Sequence, residues 1–147
     1  MAIKYHIEPE RELLIAYIPR ETTIDSLDKS LAFLSAQSEL ATYHTLLIIS
    51  DADSIYQQVK APVLAIKMEK LFGSQGEYKL AILVSGILDY GLARMFTSYR
   101  GREGELSKVS TDPMESLEFV GVSASETSRL LDKIKNLILE SGDDRWF

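Results

Sequence analysis

The chain contains no cysteine. Disulfides, thiolate catalysis, Cys-ligated zinc and iron–sulfur clusters are therefore excluded. Histidine is scarce as well: only His6 and His44 occur, far apart and at no spacing that ligates a metal. No Gly-x-Ser-x-Gly elbow accompanies them, so a serine-hydrolase triad lacks its nucleophile signature. Gly73-Ser74-Gln75-Gly76 lacks the Lys-Ser/Thr of a phosphate loop. It follows a helical pattern and precedes a strand, the reverse of what phosphate binding needs, and reads as a helix stop. No apolar run approaches the about 20 residues that span a bilayer. The opening MAIKYHIEPE lacks the apolar core of a signal peptide, so a cytoplasmic protein is expected. Positive charge is in deficit, with 16 Lys and Arg against 22 Asp and Glu and a net charge of -6. That balance opposes non-specific binding to nucleic acid or anionic membrane.

What remains is an ordinary globular composition. The 147 residues are 46% hydrophobic and 26% charged, which suits one domain with one core. Ile3–Ile7 alternates like a strand, Glu8–Glu12 turns at Pro9, and Leu13–Ile18 forms a second strand, so the chain opens with a β-hairpin. Thr22 and Asp25 are spaced as a helix cap, ahead of an apolar stripe of Ile24, Leu27, Leu31 and Leu34 widened by Phe33. Leu46–Ile49 and Leu80–Val84 are continuous apolar runs of strand length, as in sheets covered on both faces. Pro62–Phe72 and Asp89–Tyr99 read as helices, the latter with Leu88, Leu92, Met95, Phe96 and Tyr99 on one side.

Leu106–Val109 reads as a short edge strand, and Asp112-Pro113-Met114-Glu115 opens another helix. Ser123-Ala124-Ser125-Glu126 is spaced as a capping box for a final helix striped with Leu130, Leu131, Ile134, Leu137 and Ile138. Strands alternating with helices predict an α/β fold: a mixed sheet with an N-terminal hairpin, helices packed on it, and an extra C-terminal helix.

Chemistry-bearing candidates are few. Asp51-Ala52-Asp53 follows a buried strand, where α/β proteins place functional groups. Two such carboxylates can bind magnesium, and one can attack phosphorus, loosely as in haloacid-dehalogenase-type phosphatases. Ser50 intervenes before the first Asp, however, and no later Asp-Asp pair follows at a strand end, since Asp143-Asp144 lies in the tail. A polar loop whose Asp and Ser side chains make turns is the plainer expectation. Gly86 and Gly91 bracket the start of the Asp89 helix. Gly91 weakens a helix by about 1 kcal/mol relative to Ala, which close packing or an opening for a ligand would explain. Arg94, with Arg100 and Arg102 nearby, can meet an anionic group or simply line a solvated face.

The assembled order resembles the small stand-alone SpoIIAA-like family, related in fold to STAS and CRAL-TRIO domains. The residues that carry the resemblance are the hairpin Ile3–Ile18, then Ala81-Ile82-Leu83-Val84-Ser85 with Leu88, Tyr90-Gly91 and Ala93-Arg94-Met95-Phe96, and the stretch Val109–Phe119. The resemblance covers residues 3–122. It implies a SpoIIAA-like domain over 1–122, an additional amphipathic helix over 123–140 and a tail over 141–147. STAS antagonists of anti-sigma factors carry an Asp-Ser-Ser/Thr-Gly-like phosphorylation motif. Here the corresponding loop is Asp51-Ala52-Asp53-Ser54-Ile55, with Ser54 the nearest phosphorylatable residue.

The resemblance implies a non-enzymatic cytoplasmic binding or regulatory domain without a cofactor. The CRAL-TRIO relationship implies an apolar or amphipathic small ligand between helices and sheet, with Tyr90, Arg94, Met95 and Phe96 nearest it. The STAS relationship implies a protein–protein regulatory module using Ser54, Asp51 and Asp53. A magnesium-dependent phosphatase using Asp51 and Asp53 is the remote alternative. A homodimer is also expected, through the C-terminal stripe or the edge strand at Leu106.

Overall fold

The computed structural model describes residues 3–58, 63, 78–100 and 106–140, with the backbone alone at 35, 38, 41, 56, 96 and 98–100. The helix expected over Pro62–Phe72 (Val63 apart), the Gly73–Gly76 stop, Arg102 and the tail lie outside the described residues.

Five strands form one sheet: β1 (Lys4–Glu8), β2 (Leu13–Ile18), β3 (His44–Ile49), β4 (Leu80–Val84) and β5 (Ser107–Ser110). Their spatial order follows the chain, β1-β2-β3-β4-β5. β1 runs antiparallel to β2, and every other pair is parallel. Five α-helices accompany them among the described residues: α1 (Ile24–Ser35), α2 (Ala52–Gln58), α3 (Ile87–Arg100), α4 (Pro113–Phe119) and α5 (Ala124–Leu139). This is the α/β class and mixed sheet expected from the sequence, and it is consistent with a SpoIIAA-like α/β fold.

The apolar runs form the interior strands for a simple reason. Side chains alternate between faces, so a strand covered on both sides must be apolar throughout. On one face Ala16, Ile18, Leu47, Ile49, Leu80, Ile82, Val84 and Val109 meet Leu27 and Leu31 of α1, Ala52 and Ile55 of α2, and Ala93 of α3. On the other, Leu13, Ile15, Tyr17, Leu46, Ile48, Ala81 and Leu83 meet Leu117 of α4 and Leu130, Ile134, Leu137 and Ile138 of α5. Parallel crossovers are right-handed as a rule. A sheet that always steps in one direction therefore keeps its crossover helices on one face, as α1, α2 and α3 are here. The same one-way order leaves no reversal of strand direction in the sequence of crossovers. It thus lacks the topological switch point at which open α/β sheets usually form their ligand crevice.

The apolar stripe of α5, expected to pack either on the same domain or on a second copy, lies on the chain's own sheet. Several local devices differ from expectation. Thr23, not Thr22, caps α1 by accepting the Ser26 N–H at 3.1 Å, while the Thr22 hydroxyl donates to the Pro19 carbonyl at 2.7 Å. Phe33 does not widen the α1 stripe; it is 52% exposed and leans on Tyr5, with ring centroids 6.1 Å apart. Ser123 stands at the N-cap of α5 without a side-chain cap bond, and its hydroxyl pairs with that of Ser125 at 3.0 Å. Glu126 instead reaches outward to Arg11 and Arg129. Asp112 does cap α4, accepting the Met114 N–H at 3.0 Å ahead of Pro113 in the first turn.

Candidate functional site

The loops after β3 and β4 lie side by side at the carboxyl ends of adjacent parallel strands, and the helices that leave them, α2 and α3, pack together. Asp51, Asp53 and Ser54 lie at the start of α2, and Tyr90, Arg94, Met95 and Phe96 lie along the adjoining α3.

Asp51-Ala52-Asp53 is not a free loop. Residues Ala52–Gln58 are helical, and the Asp51 Oδ1 accepts the Ser54 N–H at 3.1 Å. A short carboxylate just before a helix satisfies one of its orphan amides and favours its positive end. Asp53 Oδ2 accepts from Gln57 Nε2 one turn on, at 2.8 Å. Each carboxylate is thus engaged in holding α2. Ser54 is half-buried in the first turn, and its carbonyl accepts from Gln58 Nε2 at 3.2 Å. Gln58 also ties this helix to the start of α1: its Oε1 accepts the Ile24 N–H at 2.7 Å and its Nε2 donates to the Thr22 carbonyl at 3.2 Å. Among the described residues, no three His, Asp or Glu side chains converge to hold a metal ion.

The histidines do not converge either. His6 Nε2 lies 2.6 Å from Glu8 Oε1 on β1. His44, at the entry of β3, uses Nδ1 to accept the Lys79 N–H at 2.8 Å. That bond requires a neutral ring with its proton on Nε2. Burial, with a smaller contribution from the nearby Lys79 ammonium, lowers the His44 pKa and favours the same form.

α3 holds the least expected arrangement. The apolar side read from the sequence holds Leu88, Leu92 and Met95, but the helix is rotated so that Leu88 and Met95 face outward. Its inward face is Ala93 with the polar Asp89 and Thr97, all buried, and Tyr90 and Leu92 pack partly against the core. Its outward face exposes Ile87 at 90%, Leu88 at 67% and Met95 at 51%. Arg94 is also exposed, and the Phe96 side chain lies outside the described residues. The packing explains the rotation: where α3 crosses Val84 and Val109, the small Ala93 fits against the sheet. A hydrophobicity count along the helix selects the larger Leu and Met instead.

Gly91 sits on the outward face between these apolar residues. Among the described residues, a Cβ added there would meet nothing within 4 Å, and the backbone is not in the left-handed region. Close packing therefore does not account for this glycine. Gly86 is likewise open among the described residues and outside the left-handed region, so the turn out of β4 does not depend on glycine's conformational freedom.

One element of the surface carried no local signal in the sequence. Arg129 on α5 donates from Nη1 to Glu8 Oε1 at 2.8 Å and from Nη2 to Glu8 Oε2 at 3.3 Å. Its Nε donates to Glu126 Oε2 at 2.8 Å, and Glu126 Oε1 pairs with Arg11 Nη2 at 3.0 Å. This chain of charges clamps α5 to the hairpin. Comparison of the chain with protein-family models, curated proteins and solved structures finds no match in any of the three.

Proposed function

We propose that the protein is a non-enzymatic, cytoplasmic binding domain of the SpoIIAA-like kind, and that it takes an amphipathic small ligand on the outward face of α3. The observation that carries this reading is the inverted helix. Asp89, Ala93 and Thr97 are buried while Ile87, Leu88 and Met95 are presented to solvent around an exposed Gly91. Burying three large apolar side chains is worth roughly 1.5–3 kcal/mol each, so a helix displaying them outward forgoes substantial stabilisation. Compact apolar patches of this kind mark binding surfaces. Arg94 stands exposed beside Met95 and is suited to an anionic head group, with the apolar part of the ligand lying over Met95 and Leu88 across the space left by Gly91. The non-enzymatic part rests on Asp51 and Asp53, whose carboxylates serve α2.

Native mass spectrometry of freshly purified protein, followed by solvent extraction and titration with a long-chain fatty acid, tests the reading. The expected result is a bound amphiphile, with at least tenfold weaker fatty-acid binding by Met95→Glu and by Gly91→Leu. A clean apo mass with no fatty-acid binding overturns it.

A second reading, a STAS-type protein–protein module, is favoured by the 90% exposure of Ile87, which suits a flat partner surface better than an enclosed ligand. Ser54 is its regulatory candidate on the adjoining α2. Under this reading Ile87→Ser abolishes binding of a protein partner while leaving fatty-acid binding absent, and Ser54→Asp alters the partner affinity. A partner affinity untouched by Ser54→Asp removes the phosphoswitch form.

A further inference from the structure

β1 is an edge strand: it pairs with β2 on one side and, among the described residues, with no strand on the other. Edge strands present a row of backbone donors and acceptors that template pairing with another chain, and proteins usually blunt them with proline, bulges or inward charges. β1 contains no proline, and its five residues pair with β2 in unbroken one-to-one register. Beside it, on the face of α1, stand the exposed aromatics Tyr5 and Phe33.

The order of side chains along β1 is complementary to its own reverse. The strand reads Lys4-Tyr5-His6-Ile7-Glu8. When it is turned about a two-fold axis through His6, Lys4 falls opposite Glu8 of a second copy, twice, and Tyr5 falls opposite Ile7, twice. Opposite charges and aromatic–β-branched pairs are the cross-strand neighbours that stabilise antiparallel pairing. Both charged partners have capacity left. Lys4 Nζ makes one long, exposed contact of 3.4 Å to the Glu140 carbonyl, and an ammonium has three donors. The Glu8 carboxylate takes two bonds from Arg129 and one contact from His6, against about four acceptor positions. β5, the other edge, has no such order: Ser107-Lys108-Val109-Ser110 brings no opposite charges together on reversal, and Lys108 is already held by Glu115 at 2.7 Å.

From this we infer that the occupant of the β1 edge is a second copy of this chain. The two β1 strands pair antiparallel about His6 and join the sheets of two protomers into one. A two-fold contact uses the same patch on both subunits, which is what a strand complementary to its own reverse provides. The contact is small, of the size that gives a weak, concentration-dependent dimer. It goes beyond the binding role proposed for α3, lies on a different element, and stands or falls separately.

The absence of cysteine makes the register testable. Directly opposed residues of an antiparallel pair have Cβ atoms about 4.5–5.5 Å apart, within reach of a disulfide after slight adjustment. In His6→Cys the two new thiols face each other across the axis, while Glu8 keeps its bonds to Arg129. In Lys4→Cys the new thiol faces Glu8 of the other copy. Mild oxidation of the full chain is therefore expected to link His6→Cys into a covalent dimer and to leave Lys4→Cys unlinked. Sedimentation over about 5–500 µM is expected to show a monomer–dimer equilibrium in the unaltered chain, weakened at least tenfold by Lys4→Glu and by Tyr5→Lys, with unchanged circular dichroism. A monomer throughout that range overturns the inference. So does a dimer that persists in both charge variants, or one in which Lys4→Cys cross-links as readily as His6→Cys.

Discussion

Arg129 grips Glu8 with both terminal nitrogens across 121 positions of chain, and in doing so fastens the last helix to the first strand. The fork matches a guanidinium to a carboxylate in the two-bonded geometry that a lysine cannot reproduce. Chiefly through these bonds, opposed by burial and aided by His6, the Glu8 carboxyl is held at about 2, below its ordinary value of 4.5. A carboxyl whose pKa is lowered by folding stabilises the fold above its unfolded value and loses that contribution as pH falls through the folded one. Stability is therefore expected to decline from about pH 4.5 toward pH 2. Arg129→Ala is expected to lower the thermal midpoint at pH 7 and to flatten that acid limb, and Arg129→Lys to restore it only in part. Thermal melts across the pH series check both.

His44 predicts a second pH dependence at a higher range. Its Nδ1 accepts the Lys79 amide and so joins the entry of β3 to that of β4. Protonation replaces the acceptor with a donor and breaks the bond. Because burial lowers the His44 pKa in the folded state, the unfolded chain binds the proton more readily. The contribution is complete above the ordinary histidine value near 6.5 and is lost as pH falls through the lowered one. Replacement by Ala leaves the Lys79 amide without this partner and is expected to cost about 1–3 kcal/mol at pH 7, and less at pH 5. Urea titrations at both values read the difference. Histidine NMR titration is expected to place the His44 midpoint below its ordinary value.

The alternation of strands with helices was legible because Leu46–Ile49 and Leu80–Val84 are continuous apolar runs of the length that suits strands buried on both faces, and the Asp112 cap because its signal is local. α2 was not legible. Among the described side chains of Ala52–Gln58, Ala52 and Ile55 reach the core, too short a stripe to stand out from a polar loop. The cap at Asp51 was the available signal, and it reads equally as a catalytic Asp-x-Asp. The rotation of α3 was hidden for a different reason. Local hydrophobicity ranks Leu88 and Met95 above Ala93 and Thr97, while the sheet beneath selects for size. The Glu8–Arg129 fork joins the two ends of the chain and leaves no trace in either neighbourhood.

Ser116 offers a test of the packing beneath α4. Its hydroxyl is buried and, among the described residues, has no hydrogen-bond partner, on the helix whose neighbour Leu117 lies in the core against β4. A buried polar group without a partner carries its desolvation cost uncompensated. Ser116→Ala removes that cost and creates almost no cavity. The expected outcome is a protein more stable by about 1 kcal/mol, read as a higher urea midpoint with an unchanged slope.

Gly91 and Gly121 should respond to the same substitution in opposite directions. Gly121 follows α4 with φ at 89° and donates its N–H to the Glu118 carbonyl at 3.0 Å, while Val122 donates to that of Leu117 at 3.0 Å. This is a left-handed helix stop, where a Cβ is strained even in open space. Gly121→Ala is expected to cost about 1 kcal/mol. Gly91 lies inside α3 with ordinary helical backbone and open space around it, so Gly91→Ala keeps every contact and removes the entropy that glycine forfeits on folding. It is expected to stabilise by about 0.5–1 kcal/mol, a rise of about 3 °C in the thermal midpoint. A methyl group in that opening also stands where the amphipathic ligand would lie. Higher stability joined to weaker fatty-acid binding in Gly91→Ala would show that the glycine is kept for the surface and not for the helix. Higher stability with unaltered binding would place the ligand elsewhere.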